Sequence, residues 1–236
     1  MAARRFLIWF WAGGGGGSQF ALRLARRLNV RFGSDAATLS LRADDPALAQ
    51  ARAMGLSALG ANVVSDRRRR LATLTGLSES AGVLAMHARD ADAVIVPMNF
   101  AAAAPLAMTL AKPLIYCAHD PAPHPGDYEA LGQRLTQAAL LGRASRVVAL
   151  SQDAGKALRT VRSKLRVAPL GAVFEPAPAP PRTQGGPVRL LMIGRMIRYK
   201  GLDILADAIA RLAHRDCREC RSPTADPARH GVRAAG

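Results

Sequence analysis

The chain has 236 residues, 33 Lys and Arg against 17 Asp and Glu, a net charge of +16, and half of its residues are hydrophobic. So much apolar surface excludes wholesale disorder, and the length allows one large domain or one domain and part of another. Arginine supplies all the positive charge except Lys112, Lys156, Lys164 and Lys200, and it is dispersed apart from the run Arg67 to Arg70. With aromatics at only 5%, this pattern speaks against a nucleic-acid partner and equally fits phosphorylated small molecules, an anionic membrane surface or a merely solvated face.

From Phe6 to Ala12 the residues are apolar without alternation, as in a strand buried on both faces of a parallel sheet. Arg4 and Arg5 before this run imitate a secretory leader, but the run is short and leads into five glycines rather than a cleavage site. Gly13, Gly14, Gly15, Gly16 and Gly17 then form a turn, and Ser18 is placed to cap the helix carrying Phe20, Leu22, Leu24, Ala25 and Leu28. Strands follow at Thr38–Leu41 and Asn62–Ser65, around a helix at Pro46–Met54. A helix at Ser78–Ala88, a buried strand at Ala93–Pro97, a helix at Ala102–Ala111 and a strand at Leu114–Cys117 continue the alternation. A longer helix is expected at Tyr128–Leu141, a strand at Arg146–Leu150, a helix at Ala154–Val161 and a strand at Leu165–Pro169. Repeated strand–helix units of this kind make an α/β, Rossmann-like parallel sheet.

Residues 1–170 form this first domain and 171–187 a proline-rich linker. A second α/β domain starts at 188–213, with a strand at Val188–Ile193 and an amphipathic helix at Leu202–Leu212. Residues 214–236 hold five arginines and no Leu, Ile, Phe, Met, Trp or Tyr, so they are expected to be a disordered tail and the second domain incomplete.

Three positions invite chemistry. The glycine loop joins a strand to a helix N-terminus, where free N–H groups and the helix dipole favour anions. A dinucleotide fingerprint would need glycine or alanine where Ser18 stands, which weakens a nicotinamide cofactor, although Asp44 and Asp45 are at a distance that suits a ribose. His119 and Asp120 follow a strand at the edge where open α/β sheets bind ligands, and a histidine there can handle a proton or bind a hydroxyl. His124, in the proline-rich stretch just after, is a weaker candidate. The segment LLMIGRMIRYKGLDIL, Leu190 to Leu205, places Arg195 and Lys200 on a turn between Gly194 and Gly201, the pairing a diphosphate needs. Cys217 and Cys220 form a C-x-x-C near His214 and His230, but the second ligand pair of a zinc site is missing. No metal and no cofactor are implied. The three cysteines make no disulfide framework, which points to the cytoplasm. No stretch approaches the roughly 20 apolar residues that cross a bilayer.

GRMIRYKGLDILADAIARL, VVALSQDAGKALR with VAPLGAVFEP, the glycine loop and Ala118–Asp120 together resemble a family 4 glycosyltransferase of the retaining GT-B type, over about residues 5 to 212. The resemblance implies two Rossmann-like domains across a cleft, the first on the acceptor side. It implies that Arg195 and Lys200 bind a nucleotide-sugar diphosphate, and that the glycine loop and His119 face a glycan or lipid acceptor. Hexosyl transfer to a hydroxyl, at the inner face of the membrane, is the expected activity. Such enzymes carry two glutamates eight positions apart in the donor domain, whereas the glutamates here are Glu79, Glu129, Glu175 and Glu219. Impaired transfer by a truncated chain is therefore expected, with a non-catalytic remnant or an anionic-membrane-surface binding module as the alternative.

Overall fold

The computed structural model describes residues 4–12, 15–63, 70–122, 130–171, 190–192 and 200–212. The chain divides into two compact units, one of residues 1–123 with 127–174, the other of 124–126 with 175–236.

The first unit is built on seven strands. In chain order these are β1 (Phe6–Phe10), β2 (Ala37–Arg42), β3 (Ser57–Ala61), β4 (Ala93–Val96), β5 (Leu114–Ala118), β6 (Arg146–Ala149) and β7 (Leu165–Val167). They lie side by side as β3-β2-β1-β4-β5-β6-β7, all parallel. Parallel neighbours need a crossover, supplied by α1 (Gly15–Phe32), α2 (Pro46–Ala53), α3 (Arg70–Ala88), α4 (Ala103–Ala107), α5 (Ala130–Arg143) and α6 (Gln152–Ala157). A 3₁₀ turn at Arg159–Lys164 leads into β7.

The central strands carry the core because both of their faces are covered. Leu7, Ile8, Trp9 and Phe10 of β1, Leu39 and Leu41 of β2, and Val94, Ile95 and Val96 of β4 are all buried. Burial of a large aliphatic or aromatic side chain is worth about 1.5–3 kcal/mol, so this sheet centre dominates the fold's stability. α1 joins it through Gly17, Ala21 and Ala25 with Ser18 and Leu22, a four-residue spacing that puts small residues against the strands. Trp11, just past β1, donates from Nε1 to Ser40 Oγ at 2.9 Å, and Ser40 Oγ lies 3.0 Å from Nδ1 of His87 on α3. Two cations are spent on carbonyls at or just beyond helix ends. Arg143 donates to the oxygens of Leu110 and Lys112, and Lys164 Nζ to those of Gly142 and Ala144 at 3.1 and 2.9 Å.

Several elements differ from the sequence expectation. β1 ends at Phe10, and the strand expected at Asn62–Ser65 forms earlier, at Ser57–Ala61, paired with β2. α3 reaches back to Arg70, and α4 is only a short helix whose end is closed by Thr109 Oγ1 donating to Leu106 O. The helix expected at Ala154–Val161 begins at Gln152, capped by Ser151 Oγ accepting from Ala154 N, and tightens into the 3₁₀ turn. In the second unit, α7 (Leu202–Leu212) has the expected bounds. The linker beyond Gly171, the tail from 213 and residues 188, 189 and 193 of the buried strand expected at Val188–Ile193 lie outside the described residues; the described part of that segment, Leu190–Met192, is not a strand, and Leu190 and Leu191 are exposed.

Candidate functional site

Because every strand is parallel, the loops after their carboxyl ends gather along one edge of the sheet. β1 is flanked by β2 on one side and β4 on the other, so the chain order reverses between β1 and β4. Ligands of open α/β sheets bind in the crevice such a switch creates.

α1 starts at that point. Gly15 has φ 76°, a left-handed backbone that glycine adopts without a Cβ penalty, and the first turn of α1 carries no acidic residue to occupy the helix dipole. Gly15 and Gly16 are exposed, with open space where a side chain would stand. Gly17 is buried, and a Cβ there would run into the ring of Phe10. Its glycine is thus a close strand–helix contact rather than a ligand surface. Gly13 and Gly14 lie outside the described residues.

Ser18 is not the helix cap expected of it. It lies inside the first turn of α1, buried, and its Oγ donates to Asp45 Oδ2 at 2.5 Å. Asp45 in turn is the N-cap of α2, its Oδ1 accepting from Ala47 N at 2.9 Å. A carboxylate engaged on both oxygens and 3% exposed is a structural tie between α1 and α2, not a ribose ligand. Asp44 is ion-paired with Arg42, whose guanidinium holds its carboxyl below the usual range.

His119 and Asp120 stand where expected, directly after β5. His119 Nδ1 is 3.1 Å from Asp120 Oδ2, with both side chains a little under half exposed. In the tautomer that carries its proton on Nδ1, the imidazole donates to the carboxylate, and Nε2 is the nitrogen able to exchange a proton with a ligand. The loop continues to Pro121, whose carbonyl accepts from Gln137 Nε2 of α5 at 2.8 Å. His124 lies outside the described residues.

Asn99, in the loop after β4, escaped the sequence reading. Its Nδ2 donates to Gln133 O at 3.1 Å, while its buried Oδ1 has no hydrogen-bond partner among the described residues. The available signal was a polar residue close behind a fully buried strand at the switch point. Its neighbour Phe100 packs edge-on against Trp9 and Phe10, at 5.1 and 5.5 Å between ring centres.

Of the predicted diphosphate pair, Arg195 lies outside the described residues, and Lys200 is exposed, directly before Gly201 with φ 71° and the start of α7. Among the described residues no group of three or more His, Cys, Asp or Glu could hold a metal ion, and no helix is long and apolar enough to cross a membrane.

The sequence profile of Glycosyltransferase Family 4 matches residues 14–175. Among solved structures, HepE from Anabaena in complex with UDP and glucose is similar, at 17% identity and a TM-score of 0.62 over 93% of this chain. The lipopolysaccharide outer core galactosyltransferase WaaB follows at 12% identity and a TM-score of 0.53 over 87% of the chain. UDP-GlcNAc 2-epimerase from Neisseria meningitidis, bound to UDP-GlcNAc, has 15% identity and a TM-score of 0.51 over 69%. The chain spans 60%, 57% and 46% of these three proteins, respectively. No curated protein sequence matches significantly.

Proposed function

The chain belongs to glycosyltransferase family 4, and from that membership we propose that it acts in the transfer of a hexosyl group from a nucleotide sugar to a hydroxyl of a glycan or lipid-linked acceptor. The carrying observation is that the family match, residues 14–175, takes in six of the seven strands, β2 to β7, together with Gly15–Gly17 and with His119–Asp120 at the carboxyl edge of the sheet. The UDP bound by HepE supports a nucleotide-sugar donor.

In this reading the acceptor oxygen forms a bond to the sugar's anomeric carbon, the bond to the diphosphate breaks, and the nucleoside diphosphate leaves. Arg195 and Lys200 neutralise the departing charge, and this is where most of the transition-state stabilisation is expected. His119, oriented by Asp120, takes the acceptor's proton, and Gly15 and Gly16 leave room for the acceptor over the start of α1. Calorimetric titration of the purified protein with UDP, GDP, ADP and dTDP tests the donor side. Saturable binding of one of them, competed by its sugar nucleotide, is expected; binding of none overturns the reading.

A second reading, attachment to an anionic membrane surface, draws support from α5. Leu131 and Leu135 are exposed one helical turn apart with Arg134 exposed between them, the mixture of apolar and basic groups that settles at a lipid interface. Co-sedimentation with phosphatidylglycerol vesicles, weakened by salt, is its test, and equal recovery with phosphatidylcholine vesicles counts against it.

A further inference from the structure

The inward face of α5 carries two polar side chains, Thr136 and Gln137, beside Leu140 and Ala144. An aliphatic residue would pack there without needing a partner, whereas an unpaired buried amide costs about 1–3 kcal/mol. Gln137 is 7% exposed, and its amide is paired, donating from Nε2 to the carbonyl oxygen of Pro121 at 2.8 Å. Proline has no N–H, so its carbonyl is the one backbone group through which that residue can be held. It directly follows the His119–Asp120 pair.

One turn nearer the start of α5, the Gln133 carbonyl accepts from Nδ2 of Asn99 at 3.1 Å. Positions 133 and 137 are four residues apart and share a face of the helix. The loops after β4 and β5 are thereby both fastened to the same stretch of α5.

We infer that Gln137 is a positioning residue: its amide fixes Pro121, and through Pro121 the placement of His119 and Asp120 at the carboxyl edge, in register with Asn99. The importance of this placement rests on the reading of His119–Asp120 as the reacting end of the site.

The test compares Gln137→Met, which keeps the side-chain length and removes the donor, with Thr136→Val, which removes the neighbouring buried polar group. The imidazole of His119 and the amide of Asp120 are followed by ¹⁵N NMR in the 236-residue chain, with the ring of His87 on α3 as an internal reference. Gln137→Met is expected to displace the His119 and Asp120 signals and leave His87 in place, and Thr136→Val to leave all three in place. Unmoved His119 and Asp120 signals in folded Gln137→Met overturn the inference, as does an equal displacement in Thr136→Val. Should Gln137→Met not fold, Gln137→Glu, of the same shape and without a donor when ionised, is read by the same criteria. Titration of the unsubstituted protein with UDP, GDP, ADP and dTDP keeps the two ideas apart. Failure to bind any nucleoside diphosphate removes the proposed reaction, while displaced His119 signals still establish the tie through Gln137.

Discussion

The hydroxyl of Ser18 donates to the carboxylate of Asp45 at 2.5 Å, in the buried seam where the first turn of α1 meets the start of α2. Removing the carboxylate with Asp45→Ala deletes the α2 cap and strands the serine hydroxyl, for an expected loss of about 2–3 kcal/mol. Ser18→Ala leaves Asp45 its bond from Ala47 N and is expected to cost about 1 kcal/mol. Urea unfolding of both single variants and the double variant measures this, and a coupling energy near zero would show that the two side chains act independently.

Adjacent glycines in the turn should respond in opposite ways. Gly17→Ala drives a Cβ into the ring of Phe10, which is itself held edge-on by Phe100, so overpacking of about 1–3 kcal/mol is expected. Gly16→Ala meets nothing and gains helix propensity, for a change between zero and about 1 kcal/mol of stabilisation. Thermal denaturation ranks the pair.

Burial lowers the pKa of His87 in the folded chain below its ordinary 6.5. Over the interval between the folded and unfolded values the unfolded chain binds more protons, so stability rises with pH. The contribution of a neutral His87 is complete above about pH 6.5 and is lost as the pH falls through the lower folded value. Urea midpoints from pH 8 to pH 5 should decline toward acid, with a shallower decline in His87→Asn, which keeps an acceptor for Ser40 and does not titrate.

Cys117, the last residue but one of β5, is buried, and burial pushes its thiol up to about 12. Iodoacetamide at pH 8 is expected to leave it unmodified in the native protein and to label it in urea, because the thiolate is the reactive form. Peptide mapping decides; rapid native labelling at Cys117 would mean that β5 opens locally.

Arg195→Ala and Lys200→Ala are each expected to weaken nucleoside-diphosphate binding about 10- to 100-fold, the effect of losing one charge-assisted contact. Unchanged calorimetric affinity in both variants would remove the diphosphate role assigned to them.

How far the sequence could be read depended on whether an element's cause was local. α7 has the expected bounds because Gly201 opens it and Leu202, Leu205 and Ile209 repeat at helical spacing. β3 was displaced because Ser57–Ala61 has little strand propensity and is a strand only through its pairing with β2, while the β-branched Val63 and Val64 drew the expectation onward. The start of α3 was hidden by the arginine run, which read as a break. At the carboxyl edge, the glycine turn and His119–Asp120 announced themselves by following apolar strands. Asn99 and Gln137 did not, since their partners are 34 and 16 residues distant and pairing of that kind leaves no periodicity.

Arg143 and Lys164 carry a final consequence. Each spends its cation on main-chain oxygens, Arg143 across the segment between α4 and β5 and Lys164 across the turn between α5 and β6. Their N–H donors are already engaged inside the protein, so a tally of basic side chains overstates the direct contacts on offer to a phosphate or a lipid headgroup. The same two side chains work as rivets, joining consecutive crossovers of the β4–β7 half of the sheet. Replacing either to reduce the charge would loosen that half of the sheet before it changed any ligand's affinity.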